Sequence, residues 1–109
     1  MLCLIGGILM IVVNAKAKSD NNDIIKLKKI INDLEQETLK EKGCIDYAFS
    51  TDINNPNVLR ITELWEDLKS LQDHLKTPHV DAFRNEMAKN PIEIEAHFYE
   101  ANEISYPGE

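Results

Sequence analysis

The hydrophobic period changes once between Val58 and His79, and this change constrains the fold more than any other feature of the sequence. The period-two pattern from Val58 to Trp65 predicts a strand. One face of that strand would carry Leu59, Ile61, Glu63 and Trp65. Helical spacing follows, at Leu68, Leu71 and Leu75. The helix should end at Thr77, because the residue before a proline disfavours the helical region. A strand therefore passes directly into a helix.

This strand-to-helix segment also concentrates the chemistry of the chain. It contains the only tryptophan, Trp65, a carboxylate, Glu63, and two of the three histidines, His74 and His79. No other stretch of the sequence gathers as many side chains that can bind or transfer a proton. The segment therefore predicts one wall of a functional site.

The rest of the chain predicts three more strands and two helical segments. Alternating apolar residues predict strands over residues 11–17, 44–50 and 92–99. In the second of these, Ile45, Tyr47 and Phe49 would share a face. A helix is predicted from Asn22 or Asp23 to Gly43, with an apolar stripe of Ile24, Leu27, Ile31, Leu34 and Thr38. A second helical segment, residues 80–89, would bury Val80, Phe83 and Met87.

This order of elements predicts an α+β fold of the ferredoxin-like, split βαβ type. It has a four-stranded antiparallel sheet with both helical layers on one face. The opposite face would be bare, and neighbouring residues such as Val12 and Val13 make strands that are apolar on both sides. We therefore expect a homodimer in which two sheets form a shared α/β barrel.

The first thirteen residues are nearly all apolar, but a membrane-spanning helix needs about 20. A signal peptide is a competing interpretation, because residues 15–17 resemble a cleavage site, although a positively charged leading region is missing. We interpret residues 1–9 as an N-terminal extension or the start of the first strand, and residues 10–109 as one domain.

The net charge and the cysteines limit the classes of partner and the cellular compartment that the sequence favours. A net charge of −7 disfavours nucleic acid and anionic membranes as partners. Two cysteines, Cys3 and Cys44, form neither a disulfide framework nor a zinc-binding spacing. These features favour a cytoplasmic location.

Four sequence strings resemble the antibiotic biosynthesis monooxygenase family, in particular its small quinol-monooxygenase-like branch. They are I-V-V-N-A-K-A at residues 11–17, E-K-G-C-I-D-Y at 41–47, E-L-W at 63–65 and D-H-L-K-T-P-H-V-D-A-F at 73–83. The resemblance covers about residues 10–99. It implies a dimeric barrel with a pocket between the sheet and the helices of each protomer. For oxygenase members it also implies that O₂ oxidises a small phenolic or anthrone-type aromatic without metal or flavin.

Haem-degrading members of this family use an Asn in the first strand, a Trp at the end of the third and a His in the second helical segment. Asn14 and Trp65 match the first two, but Arg84 occupies the histidine position. This departure argues against haem ligation.

Three residues are predicted to act in catalysis. His74 is the candidate general base, since an imidazole titrates near neutral pH. Glu63 shares the face of Trp65, and a buried carboxylate there should either serve a site directly or pair with a group such as His74. The amide of Asn14 could contact a developing oxyanion or simply bond the end of its strand.

Five further residues are predicted to line the substrate pocket: Trp65, His79, Tyr47, Phe49 and Arg84. The N–H of Trp65 and the guanidinium of Arg84 are candidate donors to the oxyanion. His74 and His79 are not predicted to bind metal, because a proline separates them and no cysteine or carboxylate completes a ligand set.

The function favoured by residues and resemblance together is a cofactor-independent monooxygenase that oxidises a quinol-like or polycyclic aromatic. One alternative is a non-catalytic dimeric module that binds a small apolar ligand or haem. Another is a small-molecule isomerase of the same fold, because isomerase relatives also carry the T-P-H string.

Overall fold

The computed structural model describes residues 9–108 and has the predicted order of strands and helices. Its elements are β1 (Met10–Lys18), α1 (Asp23–Lys26), α2 (Lys28–Thr38), β2 (Cys44–Asp52), β3 (Asn55–Trp65), α3 (Leu68–His74), α4 (Pro78–Ala88) and β4 (Glu93–Ala101). The predictions for residues 1–8 lie outside the described residues. Within the described residues, none of the helices is both long and apolar enough to span a bilayer.

The four strands form one antiparallel sheet in the order β2-β3-β1-β4, so β3 and β1 are central. Trp65 at the end of β3 pairs with Ile11 on β1 and with Cys44 on β2. The helices cover one face of this sheet, and the core lies between them. Its strand residues include Ile11, Val13, Ala17, Leu59, Ile61 and Trp65, and its helix residues include Ile24, Ile31, Leu34, Leu71, Val80 and Phe83. The ferredoxin-like α+β prediction is confirmed.

The first helical region is shorter and more broken than predicted. Leu27 separates α1 from α2, and α2 ends at Thr38 rather than near Gly43. Asn22 precedes α1 in a left-handed conformation, with φ 59°, and makes no side-chain cap. The segment after Thr38 is therefore a loop, and Glu41 lies in it.

This loop packs closely against α3 because residue 43 is a glycine. Gly43 has φ 86°, a conformation that favours glycine, and a Cβ there would collide with the side chain of Ser70. The carbonyl of Gly43 accepts a hydrogen bond of 2.8 Å from the amide of Glu66. The loop is thus held beside the segment that carries His74.

The prediction that Ile45 shares a face with Tyr47 and Phe49 is wrong. Trp65 pairs with Cys44 and Leu64 pairs with Asp46, so Ile45 is an extra residue in the strand. Such a β-bulge changes the side-chain alternation. Cys44 consequently packs against the core, whereas Ile45 is 48% exposed.

Both α3 and α4 begin at a side-chain cap, and the second cap lies at the break between them. Asp67 accepts a hydrogen bond of 2.8 Å from the amide of Ser70, and Thr77 caps α4 with Pro78 in its first turn. The hydroxyl of Thr77 also donates to the carbonyl of His74 at 2.8 Å. His74 therefore ends one helix and His79 begins the next.

The helices leave β4 largely uncovered. On the side of β4 that faces the helical layer, Ile94 is 55% and Phe98 is 57% exposed. These side chains form an open apolar edge beside the core.

Candidate functional site

One carboxylate oxygen joins the two histidines of the strand-to-helix segment. Oε2 of Glu41 lies 2.7 Å from Nδ1 of His74 and 2.6 Å from Nε2 of His79. We call these three residues the Glu41 cluster. The His74 side chain is 3% exposed, that of Glu41 15% and that of His79 22%. The cluster therefore runs from the core to the surface.

These contacts assign a tautomer to His74. An ionised carboxylate accepts hydrogen bonds but donates none, so the Nδ1 that faces Glu41 carries the proton. In neutral imidazole the other nitrogen then keeps its lone pair. Among the described residues, Nε2 of His74 has no hydrogen-bond partner. This nitrogen is therefore the one that can accept a proton from a ligand.

Burial lowers the pKa of His74 below its ordinary value of 6.5. The hydrogen bond and the charge of Glu41 oppose this shift, while the charges of His79 and Arg84 add to it. His74 is therefore neutral at neutral pH, as a base must be. Because the unfolded chain binds this proton more readily, His74 costs folding stability as the pH falls below 6.5.

Aromatic rings surround the imidazole of His74. The ring centroid of Trp65 lies 4.7 Å from that of His74, and the centroid of Tyr47 lies 5.3 Å away. Trp65 is fully buried behind the histidine. These rings fix the plane of the imidazole and keep water from it.

Glu63 does not bind His74, so the predicted pairing is wrong. Oε1 of Glu63 instead accepts a hydrogen bond of 2.9 Å from Nε1 of Trp65, two residues along the same strand face. Burial raises the pKa of Glu63, and the bond from Trp65 opposes that rise. The indole N–H is consequently occupied and is not free to donate to a substrate.

A cavity of about 260 Å³ lies between the sheet and the helices. Of the predicted site residues, it brings together His74, Glu63, Tyr47 and Arg84. Its other walls are apolar and include Val13, Leu34, Ile61, Leu71, Phe83 and, on the open edge of β4, Ile94 and Phe98. An apolar cleft with a few converging polar groups is the usual form of a small-molecule site.

Arg84 is at the rim of this cavity. Its Nη1 donates to the carbonyl of Leu75 at 3.0 Å and lies 3.4 Å from Oδ1 of Asp81. Its side chain is 53% exposed. Arg84 therefore brings a positive charge to the cavity mouth.

The structure does not bring the remaining predicted residues into this cavity. Phe49 lines a separate cleft of about 510 Å³ between β2 and the first helices. Asn14 is exposed on the opposite face of the sheet, beside Lys16 and His97, because only alternate residues of β1 face the helices. Within one protomer, Asn14 and His74 cannot contact the same small molecule.

Glu41 is the functional residue that the hydrophobic pattern missed. Its position was predicted to be the polar end of a long helix, where a glutamate is ordinary. The one signal in the sequence was the E-K-G-C-I-D-Y string, which begins at Glu41. The prediction that no carboxylate completes a ligand set with His74 and His79 is also wrong, because Glu41 does so with ligand atoms within 4.8 Å of one another.

Cys44 lies next to this loop but is a poor nucleophile. Burial raises the pKa of its thiol to about 11, and the charge of Glu41 adds to the rise. Cys44 therefore serves as a small apolar residue that packs against the core.

Residues 10–86 match the family described as antibiotic biosynthesis monooxygenase. The chain belongs to this family. The match includes every residue of the Glu41 cluster and stops before β4. No curated protein matches the chain.

Solved structures share the fold of this family member over most of its length. A conserved protein from Methanosarcina mazei Go1 is 30% identical, with a TM-score of 0.79 over 87% of this chain and 95% of its own. A candidate antibiotic biosynthesis monooxygenase from Deinococcus radiodurans is 24% identical, with a TM-score of 0.81 over 88% and 96%. A protein of unknown function from Bacteroides thetaiotaomicron VPI-5482, described as a possible oxidoreductase, is 24% identical, with a TM-score of 0.78 over 87% and 100%.

The contact between Glu41 and His74 can be tested by titration. Replacing Glu41 with Gln removes the charge that raises the pKa of His74, so that pKa should fall further below 6.5. An NMR titration of the imidazole C–H signals measures it. Glu37→Gln is the control, because Glu37 is four residues away and pairs with Lys40 on the surface. A His74 pKa that is unchanged or higher in Glu41→Gln would contradict the contact.

Proposed function

We propose that this protein is a cofactor-independent monooxygenase that uses O₂ to oxidise a quinol-like aromatic substrate. The observation that supports it is the arrangement of His74, whose side chain lines an apolar cavity and whose Nδ1–H is held by Glu41, while Nε2 has no hydrogen-bond partner among the described residues. Electron-rich phenolates react with O₂ far more readily than phenols do. Such an enzyme chiefly needs a base and a way to stabilise the resulting anion.

His74 alone does not meet this requirement. A phenol of pKa about 10 facing an imidazole of about 6.5 is mismatched by about 3.5 units, or about 5 kcal/mol. The lowered pKa of His74 widens the gap. The anion and the imidazolium must therefore both be stabilised in the complex.

Two charged groups can supply this stabilisation. Glu41 stabilises the imidazolium that forms when His74 takes the substrate proton, as the carboxylate of a catalytic triad does. The guanidinium of Arg84 at the cavity rim can pair with the phenolate. One oxygen atom of O₂ is then incorporated into the ring of the product. The other oxygen atom takes two hydrogens from the substrate and leaves as water.

The volume of the cavity limits the size of the substrate. A volume of about 260 Å³ lies below the range of about 300–1,000 Å³ that is usual for ligand pockets. It favours a quinol of one ring over a polycyclic substrate and over haem. The open edge at β4 is where a larger substrate would have to extend.

A proton-shuttling isomerase is the second candidate. It is favoured by two titratable groups, His74 and Glu63, in one cavity, with pKa values shifted toward each other. Such a pair can remove a proton from one atom and return one to another without O₂.

We also propose that the protein is a homodimer formed through the uncovered face of the sheet. On that face Val12 pairs with Leu64 on one side and with Tyr99 on the other, which places three apolar side chains together. Asn14, Lys16, Arg60, Glu95 and His97 form polar surroundings for them. An apolar centre with a polar rim suits a protein interface.

The dimer predicts that Leu64→Asp gives a monomer, because it would bury two unpaired charges across a two-fold axis. Light scattering after size-exclusion chromatography measures the mass. Ile53→Asp is the control, since Ile53 is 99% exposed at the tip of the β2–β3 hairpin and should not alter the dimer. A wild-type protein that is monomeric at micromolar concentration would rule out this interface.

The monooxygenase proposal predicts oxygen uptake above autoxidation with a panel of hydroquinones and anthrones. His74→Ala should lower turnover by about 10²-fold or more, the usual contribution of a general base. Asp73→Asn is the control, because Asp73 is an exposed neighbour that pairs with Lys69. Uptake that persists in His74→Ala would remove His74 as the base. Absence of uptake across the panel would exclude the oxygenase for these substrates and favour the isomerase.

A further inference from the structure

The Glu41 cluster carries a set of donors that its role in proton transfer does not require. It offers one carboxylate oxygen and two imidazole nitrogens, within 4.8 Å of one another. A base oriented by a carboxylate needs only one histidine. Two histidines and one carboxylate are instead the ligand set of many zinc and iron sites.

We propose that Glu41, His74 and His79 bind one divalent transition-metal ion of the Zn²⁺ type, and that the bound ion switches off the base. The binding stands on the geometry of the cluster alone. The inhibition rests on the proposed function, because it concerns the nitrogen that takes the substrate proton.

Small movements bring these donors to the geometry of a metal site. The shared oxygen of Glu41 lies 2.7 Å and 2.6 Å from the two nitrogens. Ligands at about 2.1 Å around a tetrahedral ion are about 3.4 Å apart. Each side chain must therefore shift by about 1 Å or less. The three side chains come from a loop, the end of α3 and the first turn of α4, where rotamer changes do not disturb a central strand.

The cluster is accessible on one side and closed on the other. An ion can enter past His79, whose side chain is 22% exposed, and a water can fill the fourth position. Trp65 and Tyr47 close the inner side around His74. The hydroxyl of Thr77 anchors the end of α3 by donating to the carbonyl of His74, so the backbone of one ligand is already fixed.

Charge around the cluster does not prevent binding. The chain carries a net charge of −7, and Glu41 itself is the nearest carboxylate. Arg84 is the opposing cation, and its contacts with Asp81 and the carbonyl of Leu75 reduce its repulsion of a bound ion without preventing it from pairing with an anion in the cavity. A divalent ion replaces two N–H groups that now share one carboxylate oxygen.

Metal binding and base catalysis use opposite tautomers of His74. A metal ion binds the lone pair of Nδ1, so the proton with which Nδ1 now donates a hydrogen bond to Glu41 must move to Nε2. Nε2 then has no lone pair for the substrate. No electrons are transferred, since three dative bonds form and a proton changes place on each imidazole. The loaded protein should therefore be inactive.

The test is titration of chelator-treated protein with Co²⁺ or Zn²⁺, followed by calorimetry and by the visible absorption of the bound cobalt. We expect one ion per chain in the wild type. Glu41→Gln and His79→Ala should each weaken binding by about 10-fold or more. His97→Ala is the matched control, because His97 is an exposed histidine beside Glu95 and outside the cluster. Circular dichroism should show that each variant is folded.

The outcomes separate the two parts of the proposal. Absence of saturable binding, or equal binding by wild type and both cluster variants, would overturn the site. Loss of binding in His97→Ala alone would assign the metal to the surface. Stoichiometric binding with unchanged oxygen uptake would overturn the inhibition. Binding in a protein that shows no oxygen uptake would count against the monooxygenase and leave the metal site supported.

Discussion

The site depends on one carboxylate oxygen that is shared by two imidazoles. His74 is almost completely buried, but burial alone does not determine which of its two ring nitrogens carries the proton. Glu41 fixes the tautomer by accepting a hydrogen bond from the Nδ1–H group. It also opposes part of the pKa shift that burial causes, so protonation of the ring is less unfavourable than burial alone would make it. Orientation and basicity of His74 thus have the same physical origin.

Several local features of the fold bring Glu41 into contact with His74 and His79. The end of α2 at Thr38 releases a loop, and Gly43 lets that loop approach α3 more closely than any residue with a Cβ could. The break at Pro78 turns the chain so that His79 reaches the same oxygen as His74, although one ends a helix and the other begins the next. Together these features place Glu41 beside the two histidines.

The sequence predicted the elements of the fold better than the contacts of the site. Alternation and helical spacing identified β3 and α3 because Trp65 and Leu71 are buried for reasons local to each element. Ile45 was misassigned because a bulge depends on how β2 pairs with β3, which a single strand does not reveal. Glu41 was missed for a similar reason. Its partners are 33 and 38 residues away, and apart from the E-K-G-C-I-D-Y string that begins at Glu41, nothing in the neighbouring sequence distinguishes it from a surface glutamate.

The proposed role of His74 requires that the imidazole carry its proton on Nδ1 and leave Nε2 unprotonated. A long-range proton–nitrogen NMR correlation on the ¹⁵N-labelled, metal-free protein reports this tautomer directly. We predict a protonated Nδ1 and an unprotonated Nε2 for His74 at neutral pH, and a change in this pattern in Glu41→Gln. A protonated Nε2 in the wild type would contradict both the role of Glu41 and the assignment of His74 as the base.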